Sequence, residues 1–338
     1  MSITLHDVAR LAGVSIKTVS NVINDYPHIR PDTRSRVLAA IEELDYRPNL
    51  SARGLRSGRT GAIGLIIPDL RNAYFAELAD AVMTAAHKRG LYVLIEQMGG
   101  YDKESELAIL RGPRMQMVDG ILYSVLTLGQ EDAALLDIPT PLVLLGDRIY
   151  NGPTDHVTMP NVEGSRVATE HLIGLGRRRL LALGAHEDEI IGSAGLRLRG
   201  YQDALEATGI PFDPELVVNV QNWHRFDGAE AMRTVIASGI HFDGVVAFND
   251  SLALGAMRVV QEAGLRVPDD VAFIGFDDID ETRYSLPTLS TIDPSREEIA
   301  EIAVGWLLER IGAPRGSIAP REHETAIRLV PRESTTLA

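Results

Sequence analysis

The chain contains no cysteine, which excludes a disulfide framework and any cysteine-based zinc site. No apolar run approaches the ~20 residues of a membrane-spanning helix. The opening MSITLHDVAR lacks the basic-then-apolar profile of a secretory signal. A soluble, cytoplasmic protein with no membrane partner is therefore expected. The signatures of common enzymes are missing too. There is no GxGxxG after a strand, no Walker phosphate loop and no GxSxG nucleophile elbow. Gly61-Ala62-Ile63-Gly64 is only a fragment of such a loop, set inside an apolar run. The nine histidines are scattered without ligand spacing. His186-Glu187-Asp188-Glu189 has the wrong order for an HExxH zinc helix and reads as a solvated acidic loop. No catalytic set, metal or cofactor is expected, and no low-complexity segment is present.

Read globally, a surplus of acid argues against nucleic acid as well. The net charge is −14, but it is unevenly spread. Residues 1–60 hold nine basic residues (Arg10, Lys17, Arg30, Arg34, Arg36, Arg47, Arg53, Arg56, Arg59) against six acidic ones, a net of +3. That leaves −17 on the remaining 278 residues. A basic head on an acidic body lets only the head approach phosphate. At 338 residues and 45% hydrophobic content the chain can form two or three compact units with real cores.

Thr4 to Asn24, TLHDVARLAGVSIKTVSNVIN, reads as two short helices around a tight turn. Thr4 can cap the first, with Asp7 beside its N-terminus, and Val8 and Leu11 give it an apolar stripe. Gly13 supplies the permissive backbone of the turn, and Ser15 is a natural cap for the second helix. Val14, Val19 and Val22 point inward, leaving Ile16, Lys17, Ser20 and Asn21 on the other face. One cation, a hydroxyl and an amide suit the floor of a DNA major groove, although the pattern alone also fits an ordinary helical hairpin. Pro31 opens a third helix, in which Val37, Leu38, Ile41 and Leu44 recur at helical spacing. Tyr46-Arg47-Pro48-Asn49 ends it, because the residue before proline disfavours helix.

Asn49 to Arg56, NLSARGLR, is helix-compatible but only about two turns long, and isolated helices below ~12–15 residues are marginal in water. Gly54 costs roughly another 1 kcal/mol against alanine. The stretch should be frayed when free and fold on binding. Leu55 has no local apolar partner, and Ser57-Gly58-Arg59-Thr60 is a flexible exit.

From Gly61 the texture changes. The spacing predicts strands at 62–67, 92–96, 120–123, 142–145, 180–183, 216–220, 244–248 and 271–275. Between them it predicts helices at 73–89, about 103–115, 162–175, 195–208, 227–238 and 251–263, followed by a helix at 296–310 and a strand near 325–330. Repeated strand–helix alternation implies parallel sheets covered by helices. One such sheet would be very long, so two α/β lobes are expected, with ligands beyond the carboxyl ends of the strands. Polar and aromatic residues fall there: Asp69, Asn72, Tyr74-Phe75, Ser124, Asp147-Arg148, Trp223, Asn249-Asp250 and Asp277-Asp278, with Arg197 at a helix start. Carboxylates, amides and an arginine beside an aromatic face suit a polyhydroxylated ligand. Polar residues are also normal on surface loops.

TLHDVARLAGVSIKTVSNVIN, then PDTRSRVLAAIEELDYRPN, then LSARGLRSGRTGAIGLIIPD together resemble the head of a repressor of the lactose/galactose (LacI/GalR) family, and the resemblance covers nearly the whole chain. It implies a helix-turn-helix domain at 1–48, a hinge helix and linker at 49–60 and a two-lobed periplasmic-binding-protein-like core at 61–338. The chain would cross between the lobes, giving lobe one about 61–161 plus 293–322 and lobe two about 162–292 plus 323–332. Ile16, Lys17 and Asn21 would read bases. Thr4, Ser15, Thr18, Ser20, Asn24, His28 and Thr33 would contact phosphates. Asn49, Ala52 and Leu55 would enter the minor groove, with Leu55 as the wedge that kinks the operator. Tyr74, Phe75, Ser124, Asp147, Arg197, Trp223, Asn249 and Asp277 match effector positions. The partners implied are a palindromic DNA operator, a small sugar and a second copy of the chain. The extra C-terminal heptad helix of tetrameric members is not found, so a dimer is expected. A repressor of carbohydrate genes is the expected function. A corepressor-type regulator that binds a purine, or a transport-type sugar-binding protein, is the alternative.

The hinge reading yields a direct test. Leu55→Ser should weaken specific operator binding by at least ~1 kcal/mol and reduce operator bending, while salt-sensitive non-specific binding by the head survives. An unchanged bend angle would show that residues 49–56 are only a linker.

Overall fold

The computed structural model describes residues 3–23, 26–46, 59–98 and 102–336. Asn24 and the hinge residues Asn49, Ala52 and Leu55 lie outside them. The chain divides into two compact units, 1–60 and 61–338.

In the first unit, α1 (Leu5–Ala12), α2 (Ile16–Ile23) and α3 (Pro31–Glu43) close on Val8, Ala9, Ala12, Val19, Val22, Val37, Ala40 and Tyr46. The N–H and Oγ1 of Thr4 both donate to the Asp7 carboxylate, at 3.0 and 2.7 Å, which ties down the start of α1. Gly13 ends α1 at φ 63°, a left-handed conformation that strains any side chain even where there is room for one. Ser15 Oγ accepts the Thr18 N–H at 3.1 Å and caps α2. Two leucines expected in this core are outside it: Leu11 is 45% and Leu38 51% exposed. Alanines 9, 12 and 40 fill the buried seam instead. Their short side chains let the helices approach closely and leave the leucines on the flanks. The third helix also stops before the proline does its work. Asp45 turns to φ 43°, its N–H reaches Glu42 O, and the N–H of buried Tyr46 reaches Ile41 O at 2.9 Å, a Schellman closure.

The second unit contains strands β1 (Ala62–Ile67), β2 (Tyr92–Gln97), β3 (Gly120–Ser124), β4 (Leu142–Leu145), β5 (Asp155–Thr158) and β6 (Leu180–Ala185). They are followed by β7 (Val217–Asn219), β8 (Gly244–Ala247), β9 (Ala272–Ile274), β10 (Thr291–Asp293), β11 (Glu322–Glu324) and β12 (Arg328–Val330). Its helices are α4 (Ala73–His87), α5 (Lys103–Leu110), α6 (Asn161–Gly174), α7 (Ser193–Thr208), α8 (Arg225–Ser238), α9 (Asp250–Glu262) and α10 (Arg296–Gly312). One lobe is a parallel sheet in the order β11-β5-β4-β3-β1-β2, and the other is a parallel sheet in the order β7-β6-β8-β9. An antiparallel ribbon of β10 and β12 completes the second lobe. The chain thus passes between lobes after β5, β10 and β11.

Strand alternation explains why the apolar runs are continuous. On β1, Ile63, Leu65 and Ile67 face α4 and α10, while Ile66 faces the opposite layer with Ile121, Tyr123, Leu142 and Leu144. On β6, Leu180 and Ala182 face one layer and Leu181 and Leu183 the other. A sheet buried on both faces needs apolar residues at every position. In the second lobe the helix pairs cross at glycines. A Cβ on Gly200 of α7 would lie 2.1 Å from Val162 O of α6, and one on Gly255 of α9 would lie 1.9 Å from Arg225 O of α8.

Three strands were invisible to sequence pattern: β5, β10 and β11, of which β10 is only three residues long. β11 is a polar edge strand, Glu-His-Glu, which extends the first lobe to Glu324 and leaves only Arg328–Val330 of the expected final strand in the second. β5, Asp-His-Val-Thr, is entirely buried. Asp155 is matched there by Arg310, at 2.7 Å to each oxygen, and by Arg321 at 2.8 Å. Burial pushes the Asp155 carboxyl up, and the two arginines pull it back below its ordinary value. Asp155→Ala leaves two guanidinium groups without their shared partner. It should cost about 3–5 kcal/mol of stability in the core, measurable by urea unfolding. A loss below ~1 kcal/mol would mean that the triad contributes only exposed-pair energy.

Candidate functional site

The two sheets point their carboxyl ends at a common cleft of about 190 Å³. Seven of the eight expected effector positions line it: Tyr74, Phe75, Ser124, Asp147, Arg197, Trp223 and Asp277. The eighth, Asn249, does not. Its Oδ1 accepts the Leu252 N–H at 2.8 Å and its Nδ2 donates to Trp223 O at 3.1 Å, so it caps α9 and fixes the loop carrying Trp223. Asp250 and Asp278 also sit behind the wall. Asp250 accepts Thr291 Oγ1 at 2.6 Å and the Ile279 N–H at 3.0 Å. Asp278 is paired with Arg283 and Arg332.

Arg197 is buried at the centre. Its Nε donates to Asn161 Oδ1 at 2.7 Å, one terminal nitrogen donates to Phe248 O, and the other lies 3.6 Å from Asp277 Oδ1. The guanidinium stacks 3.7 Å from the Phe276 ring centroid and 5.3 Å from that of Trp223. Trp223 is locked by its own Nε1–H to Gly184 O at 3.0 Å. Tyr74 and Phe75 meet edge to face at 5.2 Å. Burial and the charges of Asp277 and Asp147 push the Tyr74 phenol up, so it keeps its proton and can donate. Asp277 has φ 113°, an uncommon backbone for a side chain, and its N–H and C=O are held by Ile292 O and Arg296. Strain of this kind persists where the surroundings over-determine the residue. Burial pushes the Asp277 carboxyl up to about 7, against the pull of Arg197 and Arg296.

Several side chains cross the cleft. Asp147 Oδ1 accepts Thr158 Oγ1 at 2.7 Å, and its Oδ2 accepts Ser193 Oγ, from the other lobe, at 2.6 Å. His224 Nε2 lies 3.1 Å from Asp69 Oδ2. Arg148 reaches Glu189 at 3.3 Å, and Glu189 also binds His186 Nδ1 at 2.8 Å. The sequence reading of His186–Glu189 as a solvated acidic loop holds for exposed Glu187 and Asp188 and fails for His186 and Glu189, which line the cleft. The position of His186, immediately after the apolar run of β6, was the available signal. Ser193 and His224 carried none, since each depends on a partner from the opposite lobe.

In the head, Lys17 and His28 are exposed, whereas Ile16 is half-buried against the core and Ser20, Asn21 and Thr33 are half-buried. Thr4 and Ser15 stand at the N-termini of α1 and α2, where backbone N–H groups favour anions. The Ser15 and Thr18 hydroxyls bond one another at 2.9 Å.

Residues 4–49 match the lacI family of bacterial regulatory proteins, and residues 169–335 match a periplasmic binding protein-like domain. The transcriptional regulator RegA of Clostridium saccharobutylicum is 32% identical, over 99% of this chain and 100% of its own. The chain belongs to the LacI family of transcriptional regulators. It is a DNA-binding regulator with an effector-binding core, in a family of non-enzymes. Regulators of this family bind operator DNA and small effectors as dimers. PurR of Vibrio atlanticus is 32% identical over 91% of this chain and 92% of its own, and GalR of Salmonella typhimurium 35% over 86% and 84%. Among solved structures, a LacI-family regulator from Sanguibacter keddieii has a TM-score of 0.76 and 49% identity, covering 82% of this chain and 99% of that one. The lac repressor dimer bound to operator and the anti-inducer ONPF has a TM-score of 0.83 and 27% identity, with both chains fully covered. A regulator CelR in complex with cellobiose has a TM-score of 0.71 and 29% identity, over 98% of this chain and 99% of its own. Among the described residues, no helix is long and apolar enough to cross a membrane.

Proposed function

We propose that this regulator is a homodimeric, cytoplasmic repressor of carbohydrate-utilisation genes, released from a palindromic operator by a small neutral sugar. One observation carries the sugar reading. Asp147, Asp277, Arg197 and the Tyr74 hydroxyl converge on a cleft flanked by the indole of Trp223. Hydroxyl groups need acceptors and donors in that mixture, and the apolar face of a sugar ring packs on an aromatic. The cellobiose complex of CelR supports it, whereas likeness to both GalR and PurR leaves the choice between sugar and purine to the cleft. Large side chains exposed on the second lobe support self-association: Phe226 at 71%, Tyr284 at 79% and Leu286 at 84%. Arg225, next to Phe226, pairs with Glu281, whose C=O accepts the Tyr284 N–H, so these residues share one region.

The switch follows from differential affinity. Ligand that bonds groups from both lobes favours one lobe arrangement, and by linkage disfavours the arrangement that holds operator. The hinge, residues 49–56, is the segment through which that change reaches DNA.

Arg197→Lys and Asp277→Asn, which keep a polar group at each buried position, should each weaken the effector by roughly tenfold to a hundredfold, the worth of a charged hydrogen bond in a closed site, while operator binding is retained. Thermal-shift screening of sugars and nucleosides identifies the ligand for this measurement. A nucleobase hit with no sugar hit would replace the sugar reading. Ionised Asp277 accepts two hydroxyl protons and neutral Asp277 fewer, so ligand favours the ionised form and releases a proton. Affinity should therefore fall as pH drops through about 7, and Asp277→Asn should flatten the profile. Calorimetry across pH tests it.

In the head, Ile16, Lys17 and Asn21 read base edges in this proposal, and Thr4, Ser15, Thr18, Ser20, His28 and Thr33 set register on phosphates. Site selection with Lys17→Ala should relax one symmetric base pair. A uniform loss of affinity with an unchanged site would make Lys17 a phosphate contact instead.

A further inference from the structure

The cleft carries a charge balance of its own. The carboxylates lining it are Asp69, Asp147, Glu189 and Asp277, and the arginines are Arg148 and Arg197, with His186 and His224 beside them. Each of these cationic or basic groups already has a carboxylate from the chain. Arg197 has Asp277, His224 has Asp69, and Arg148 and His186 share Glu189.

The Glu189 arrangement is the informative one. Its carboxylate bonds His186 Nδ1 at 2.8 Å and Arg148 at 3.3 Å, and the backbone N–H of Gly195, the third residue of α7, helps hold it ionised. An arginine from one lobe, facing an imidazole and the first turn of a helix from the other, has the donor set that binds a phosphate or carboxylate. Here the chain supplies the anion itself. Gly192 makes the fit possible: a Cβ there would lie 2.6 Å from Glu189 Oε1 and 3.1 Å from the Arg148 guanidinium.

We propose that Glu189 is a specificity residue that acts as a charge filter. By occupying the anion position formed by Arg148, His186 and the α7 N-terminus, it makes the cleft accept an uncharged ligand and reject its phosphorylated or carboxylated counterpart. A phosphate entering the wild-type cleft meets Glu189 and Asp147 with no cation left to neutralise it. This rests on the reading of the cleft as the effector site, but it concerns the charge of the ligand and not its identity as a sugar.

The test is a gain of binding, which a merely structural role would not give. Inorganic phosphate is titrated into the full-length protein and into Glu189→Ala, read by melting temperature and calorimetry. Wild type should show no phosphate-dependent stabilisation. Glu189→Ala should gain phosphate affinity by about tenfold or more, the worth of one charge-assisted hydrogen bond. The gain should vanish in Glu189→Ala/Arg148→Ala. Retained operator binding shows that the variants are folded; if Glu189→Ala is not, Glu189→Gln, which keeps a hydrogen-bonding side chain without the charge, should show a smaller gain in the same direction. Phosphate binding equally to wild type and variant overturns the proposal, as does a folded variant blind to phosphate. A phosphate gain in a protein that no sugar stabilises would uphold the filter while removing the sugar reading.

Discussion

The buried guanidinium of Arg197 is the interaction on which the core depends. It comes from α7, yet its partners lie on α6, after β8 and after β9: Asn161, the Phe248 carbonyl, and Asp277 with the Phe276 ring. A charge taken that far out of water is stable only when every donor is used and an opposite charge stands near. Meeting that requirement fixes the carboxyl ends of the second sheet relative to α6, the first element after the chain enters this lobe. Asp277, the opposite charge, stands in a strained conformation, and burial leaves its carboxyl less acidic than usual against the pull of Arg197. The wall of the cleft is built from the electrostatic needs of one side chain.

A cleft assembled this way is suited to switching. Across the cleft its lobes touch through small polar contacts, Asp147 with Ser193, Arg148 with Glu189 and Asp69 with His224. Such contacts are replaceable by ligand hydroxyls at little net cost, because hydrogen bonds exchange nearly evenly. The sheets behind them are packed on both faces, and the second lobe is further pinned by glycine-mediated helix crossings, so each lobe resists deformation and moves as a body. A small change in the cleft is thus delivered to the lobe orientation instead of being absorbed locally.

Sequence by itself determined the elements. Continuous apolar runs gave the sheet strands because strands buried on both faces have no other composition, and the TLHDVARLAG head gave its helices through Thr4, Gly13 and Ser15. It also placed seven of the eight expected effector residues on the cleft, since the ends of parallel strands converge in such folds. Tertiary structure alone decided the rest. β5 is a strand because Asp155 finds Arg310 and Arg321, which come more than 150 residues later, and no local pattern announces that pairing. Asn249 left the cleft because α9 needed a cap. His186 and Glu189 entered it because Arg148 and the first turn of α7 stand opposite them. In each case the free energy of a polar group is set by its partner, and local sequence carries propensity and pattern but not the identity of a partner from a distant segment.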